Sequence, residues 1–187
     1  MVNIQPSSRS KIFLILALLT LLVRLPFFFP DVIDSDESTF ILFGQDIVDG
    51  NLPYENLWDV KPPLLFFCFA LLILTFGKTI LAIRIGGAVC ILVAAYLVYL
   101  SGEKTRNSRT GLIAAAFLII FSTLSESGGG TTSEIIAIVP LTGAALFFLK
   151  SELRARDVFF AGILISAACM IRLNLVYLAL AGGVFLL

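Results

Sequence analysis

The chain has 187 residues, 59% hydrophobic and 14% charged, with thirteen basic and thirteen acidic side chains and no histidine; its mean hydropathy is +1.02. Soluble domains average roughly 45–50% apolar and about 25% charged residues, so this is an integral membrane protein, and zero net charge gives no reason to expect a nucleic-acid partner. Without histidine the Ser-His and Cys-His nucleophiles and most zinc sites are excluded, which leaves acid–base chemistry to carboxylates, lysine or tyrosine.

In chain order, a polar head at 1–11 carries Arg9 and Lys11. The apolar run at 12–29 is long enough to cross a bilayer, which takes about 20 residues. No small-residue cleavage site follows it, so it reads as a retained transmembrane helix rather than a signal peptide. Arg24 lies near its C-terminal end. Residues 31–61 then form an acidic segment with Asp31, Asp34, Asp36, Glu37, Asp46, Asp49, Glu55 and Asp59 against one cation, Lys61. Within it, Asp34 and Glu37 resemble a capping pair that opens a helix. Phe40, Ile41, Phe43, Ile47 and Val48 keep helical spacing, and Gly50 fits the stop. A turn through Asn51–Pro53 leads to a second apolar stretch at 62–76, opened by Pro62-Pro63 and closed by Gly77. Further apolar runs occupy 79–100, 111–124, 134–149 and 158–171, and another begins at 173. Cys68, Cys90 and Cys169 each sit in an apolar run with no pairing pattern, and read as small buried hydrophobes. No repeat, low-complexity segment or linker interrupts the chain. The expected fold is a single all-α domain, a polytopic transmembrane helix bundle whose outer loop contains two juxtamembrane helices.

Basic residues cluster at Arg9/Lys11, at Lys104/Arg106/Arg109 and at Lys150/Arg154/Arg156. The positive-inside rule makes these places cytoplasmic, which puts the N-terminus inside and both the first loop, 31–61, and the glycine-rich stretch 125–133 outside. An odd number of crossings must separate Lys61 from Lys104. The run at 79–100 supplies one, so 62–76 is expected to lie along the outer interface. The competing assignment, with 62–76 as a full span, would move the Lys104 loop outside.

Several polar residues then fall on one face. Adjacent carboxylates such as Asp36-Glu37 can deprotonate an acceptor, bind a divalent cation or simply solvate a loop. Lys61, stiffened by two prolines, suits a phosphate headgroup, or snorkels at a helix end. Glu134 opens an apolar helix, where the dipole favours a carboxylate whatever its function; the Gly128-Gly129-Gly130 run before it lacks the Gly-Lys-Ser/Thr of a nucleotide loop. Arg24 and Arg172 sit at membrane edges, where arginines often face a polar cavity. No metal-ligand set is apparent.

Asp36-Glu37-Ser38-Thr39-Phe40, Gly50-Asn51-Leu52-Pro53-Tyr54 and Trp58-Asp59-Val60-Lys61-Pro62-Pro63-Leu64 resemble the first outer loop of the C-fold glycosyltransferases. The resemblance is to the bacterial branch related to protein O-mannosyltransferases and lipid A aminoarabinose transferases. Arg24-Leu25-Pro26 and Thr132-Ser133-Glu134 are similar to the ends of the family's first span and second outer loop. The resemblance implies the N-terminal half of such a fold, in a plasma (inner) membrane. It implies transfer of a sugar from a polyprenyl-phosphate carrier to a protein, lipid or polysaccharide acceptor on the extracytoplasmic face. Asp36 and Glu37 would be catalytic. Lys61, Arg172 and Arg24 would bind the substrate phosphate, and Glu134 would be the acidic residue of the second outer loop. No cofactor is required; a divalent cation near Asp36 is compatible with the residues. The alternative function is binding or transport of a polyprenyl-phosphate or glycolipid headgroup without catalysis.

Overall fold

The computed structural model describes residues 6–31, 33–125, 127–150 and 152–186. The polar head at 1–5, Glu126 of the glycine-rich stretch and the end of the last run at Leu187 lie outside the described residues. Those described form eight α-helices, with no strand among them: α1 (Pro6–Arg24), α2 (Ser35–Val48), α3 (Pro63–Phe76), α4 (Ile80–Thr105), α5 (Ser108–Leu124), α6 (Ser133–Phe148), α7 (Ala155–Ile171) and α8 (Leu175–Leu186). A short 3-10 turn, Leu25–Phe28, extends α1.

Local chemistry explains the boundaries. Thr79 caps α4 by accepting from the Ala82 amide at 3.1 Å, and Asn107 caps α5 by accepting from the Thr110 amide at 2.8 Å. Such caps satisfy amides that the helix itself leaves unpaired. Asp34 caps α2, accepting from the Asp36 amide at 2.8 Å. The expected reciprocal half of that cap is not formed, because the Glu37 side chain turns inward to other partners. Pro63 starts α3, where a missing amide does no harm, and Gly77 ends it at φ +106°. An L side chain rarely adopts that conformation.

Residues 9–28 and α4 are long and apolar enough to cross a membrane; α3, α5 and α6 are shorter apolar helices. α4 is the hub, with α1, α3, α5 and α6 packed on it. Its contact with α5 is very close where Gly102 and Gly111 meet, and a Cβ on Gly111 would strike the Tyr99 carbonyl. Leu16, Ile91, Ala95, Tyr99, Ala115 and Ile119 are buried along the α1/α4/α5 seam. Most other large apolar side chains face outward, among them Leu14, Phe117, Phe159 and Leu180. That is the pattern of a bundle solvated by lipid rather than water.

The two ends of the bundle differ. One end gathers Arg9, Glu103, Lys104, Lys150, Arg154, Arg156 and Asp157, with ion pairs Arg9–Glu103 at 3.0 Å and Lys150–Asp157 at 2.6 Å. The opposite end carries α2, α3 and the glycine-rich loop. There α2 and α3 run parallel. Their starts are tied by Asp36–Lys61 at 3.1 Å and their ends by Asp49–Lys78 at 3.6 Å. Phe40 packs on Phe66 and Phe69, and Gly44 packs on Phe69, Ala70 and Ile73. The turn expected at 51–53 is therefore only part of the connection. A 14-residue helix is about 21 Å long, and residues 49–62 return the chain over that length. In the bundle, α3 joins a core with Ile83 of α4, Ile136 and Ala137 of α6, and Ile171 of α7. All four belong to the loop end, so α3 lies over helix ends there.

Candidate active site

The first turn of α2 sends its two carboxylates in different directions, as successive helical positions separated by about 100° must. The Asp36 side chain is 54% exposed and accepts from Lys61 Nζ at 3.1 Å. Lys61 Nζ also lies 5.6 Å from the centroid of the Phe40 ring. The Glu37 side chain is 3% exposed. Its Oε2 accepts from Arg84 Nε at 3.2 Å and Nη2 at 3.0 Å, and its Oε1 accepts from the Thr131 amide at 2.6 Å.

Arg24 belongs to the same buried node. Its guanidinium donates to the carbonyls of Gly128, Gly129 and Gly130 at 3.0, 3.0 and 3.2 Å. Arg84 also donates to the carbonyls of Phe27 and Pro30. The two arginines and Glu37 thereby stitch the end of α1, the start of α2, α4 and the glycine-rich loop into one unit. Glycine is needed in that loop, since a Cβ at position 128 would strike the Ser122 carbonyl oxygen and one at 129 would strike the Phe27 ring, while one at 130 would press on the Glu37 carboxyl group at 3.1 Å.

The backbone of Lys61 is held by a strained neighbour. Tyr54 has φ +72°, at the third position of a turn in which the Glu55 amide donates to the Leu52 carbonyl at 3.2 Å. A glycine would fit that conformation without strain, but the tyrosine side chain is used. Its ring packs on Phe43, Phe66 and Trp58, and its hydroxyl donates to the Lys61 carbonyl at 2.5 Å. Burial, with Asp59 second, pushes the Tyr54 phenol above its ordinary range, so it stays a donor.

A second exposed pair lies on α6 and α7. Arg172 contacts Glu134 at 2.5 Å, with side chains 30% and 55% exposed, and donates to Ser133 Oγ at 2.9 Å. The expected site residues thus fall into three groups. Asp36 meets Lys61, Glu134 meets Arg172, and Glu37 and Arg24 lie in the buried node. Sequence reading missed Arg84, Thr131 and Tyr54. Arg84 had a usable signal, an arginine five residues into an apolar run, where a charge needs a partner. Tyr54 stood in the Gly50-Asn51-Leu52-Pro53-Tyr54 motif without an assigned role and Thr131 had no signal, because their roles depend on backbone conformation and on a distant carboxylate. Among the described residues no three Cys, Asp or Glu side chains converge as a metal site.

Fold and site together define a membrane helical bundle with an ionic cap at one end. The chain belongs to the dolichyl-phosphate-mannose-protein mannosyltransferase family, a group of C-fold glycosyltransferases; the family's profile matches residues 60–187. The match takes in Lys61, Arg84, Thr131, Glu134 and Arg172 and begins after Asp36 and Glu37. No curated protein and no solved structure matches the chain.

Proposed function

We propose that this protein transfers a sugar from a polyprenyl-phosphate carrier to an acceptor on the extracytoplasmic face of the membrane. The observation that carries the reading is the exposed contact between Asp36 and Lys61, 25 residues apart and 3.1 Å from each other. A carboxylate and a cation at one accessible point are what the reaction needs. In the resting protein the two neutralise each other. A lipid phosphate arriving at Lys61 replaces Asp36 as its counter-ion and releases the carboxylate to the acceptor. The acceptor proton then passes to Asp36 while the acceptor oxygen or nitrogen bonds to the anomeric carbon. The bond from that carbon to the phosphate oxygen breaks, and its electron pair leaves on the polyprenyl phosphate. Lys61 and Arg172 stabilise the charge that develops there. Glu37 and Arg24 act through position, holding the first turn of α2 and the second loop in register. No cofactor enters this scheme; a divalent cation beside Asp36 would compete with Lys61 for the same carboxylate.

The outward placement of the site rests on charge asymmetry, since the opposite end holds Arg9, Lys104, Lys150, Arg154 and Arg156 and basic ends face the cytoplasm. The position of α3 over the helix ends supports an interfacial helix there. Trp58, 81% exposed in the preceding loop, suits the headgroup level.

The family's description makes a mannosyl carrier the first donor to test, with protein, lipid and polysaccharide acceptors compared in native membranes. Asp36→Asn is expected to lower transfer of radiolabelled mannose by about 10²–10⁴-fold, the range for loss of a general base. Lys61→Ala should lower it comparably by removing the phosphate's cation. Unchanged transfer by both variants would sink the proposal. Donor binding without transfer by the wild type, for any sugar tried, would point to a headgroup-binding protein instead.

A further inference from the structure

Resting on the transferase reading, we propose that the cleft between the loop ends of α5 and α6 is the subsite that holds the sugar ring of the lipid-linked donor. Both helices pack on α4 rather than on each other, and the gap between them is a cavity of about 380 Å³ lined by Ser122, Ser125, Thr132, Glu134, Ile135 and Ile138, among others. That is large enough for one sugar ring, at the small end of the range for ligand pockets.

The hydrogen-bonding character of the lining selects the ligand. Ser122 Oγ already donates to the Leu118 carbonyl at 2.6 Å, and Ser125 Oγ donates to the Ser122 carbonyl at 3.4 Å. What these two hydroxyls present to the cleft is acceptor lone pairs. Ser127 and Thr132 add further hydroxyls to the lining, and the Glu134 carboxylate, which already accepts from Ser133 Oγ at 3.1 Å and meets Arg172, can only accept. A polyhydroxylated ring supplies many O–H donors and matches such a wall. A phosphate brings only acceptors and negative charge, and the described residues lining the cleft include no cation for it. Ile135 and Ile138 give the same cleft an apolar wall, and the last turn of α5 exposes Phe121 and Leu124, as an amphiphile entering from the bilayer requires.

Glu134 connects this cleft to the cationic part of the site. It lines the cavity and also contacts Arg172 at 2.5 Å. A ring bound on one side of Glu134 therefore has a phosphate-binding cation on the other, which is the order of groups in a sugar phosphate. The site divides into an acceptor-rich pocket for the sugar and a cationic edge for the phosphate.

The test is photolabelling of the full chain in lipid nanodiscs with a diazirine-bearing alkyl mannoside, the labelled peptides being read by mass spectrometry. Labelling is expected within residues 122–138, competed by octyl mannoside and not by dodecyl phosphate or dodecylammonium. Ser122→Ala with Ser125→Ala should reduce it about tenfold or more, as for loss of two neutral hydrogen bonds. Ser122→Thr, which keeps a hydroxyl, should retain it and guards against misfolding. Labelling confined to other segments, or competed by the phosphate or the ammonium in preference to the mannoside, would overturn the inference. Mannose transfer is measured in the same nanodiscs. Asp36-dependent transfer without cleft labelling removes only the cleft, whereas cleft labelling without transfer removes the transferase reading and leaves a glycolipid-binding site.

Discussion

The first turn of α2 places two adjacent carboxylates in two different regions: Asp36, 54% exposed, meets Lys61 beside the solvent, while Glu37, 3% exposed, meets Arg84 inside the bundle. Their surroundings give the same chemical group opposite uses. An exposed ion pair contributes about 0–1 kcal/mol, so either partner can exchange the other for a substrate at little cost. A buried pair is hard to open, because separating it leaves an uncompensated charge in a low-dielectric interior. On the proposed function, the exposed region is the one free to react and the buried region the one that holds it in place.

The contrast breaks most visibly when the buried carboxylate is removed. Glu37→Ala leaves Arg84 without its counter-ion and the Thr131 amide without its acceptor, and should destabilise the protein by about 3–5 kcal/mol. Asp36→Asn, one residue away, should change stability by less than about 1 kcal/mol while lowering transfer about 10²–10⁴-fold. Thermal unfolding of both variants in one detergent reads the difference; equal losses would mean that the two carboxylates do not have separate roles.

A milder intrusion sharpens the same comparison. Gly130→Ala keeps every charge but pushes a methyl group to 3.1 Å from the Glu37 carboxyl, and overpacking of this kind costs about 1–3 kcal/mol. The loss should largely vanish in the Glu37→Ala background, since the clashing group is then gone; additive losses would show that the glycine matters for another reason. On the exposed side, Tyr54→Phe removes one hydrogen bond to the Lys61 carbonyl, worth about 1 kcal/mol. Because that bond orients Lys61, which would bind the phosphate and stabilise the charge developing on it, kcat/KM for the donor should fall several-fold. An unchanged kcat/KM would contradict a role in holding the phosphate cation.

The smallest effect belongs to the basic end. The hydrogen bond from Lys150, ahead of the Arg154 amide and nearby charges, holds the Asp157 carboxyl below its ordinary value of 3.8. A carboxylate depressed by folding stabilises the folded state above its unfolded pKa, and that contribution is lost as pH falls through the lower folded value. Wild type and Asp157→Asn should therefore differ in unfolding temperature at about pH 6 and converge as the pH is taken below the ordinary carboxylate range. A difference that persists in acid would mean that the Lys150–Asp157 pair is not its source.

Much of the cap was legible before any tertiary contact was known. Asp34, Gly50, Pro63 and Gly77 announce the limits of α2 and α3 because capping and backbone permission are local matters. The pairing of Asp36 with Lys61 was approachable through shared sidedness. The parallel course of α2 and α3 was not, because a proline-containing turn does not reveal whether the chain behind it doubles back or runs on. Arg24 had the residue type and depth expected of a phosphate ligand, yet its guanidinium donates to three carbonyls of a loop more than a hundred residues later. Residue type and depth cannot anticipate a partner that is backbone.

Composition and periodicity by themselves determined that this protein is a helical membrane bundle with an acidic cap at one end and a basic rim at the other. Hydrophobic burial in lipid, backbone satisfaction within each helix and charge asymmetry across the membrane are all readable from runs of residues. Only the tertiary structure decided which carboxylate of the Asp36-Glu37 pair faces outward. Neighbouring positions on a helix point about 100° apart, and which of them is inward depends on Arg84, 47 residues away in sequence, and on the glycine loop that closes over it.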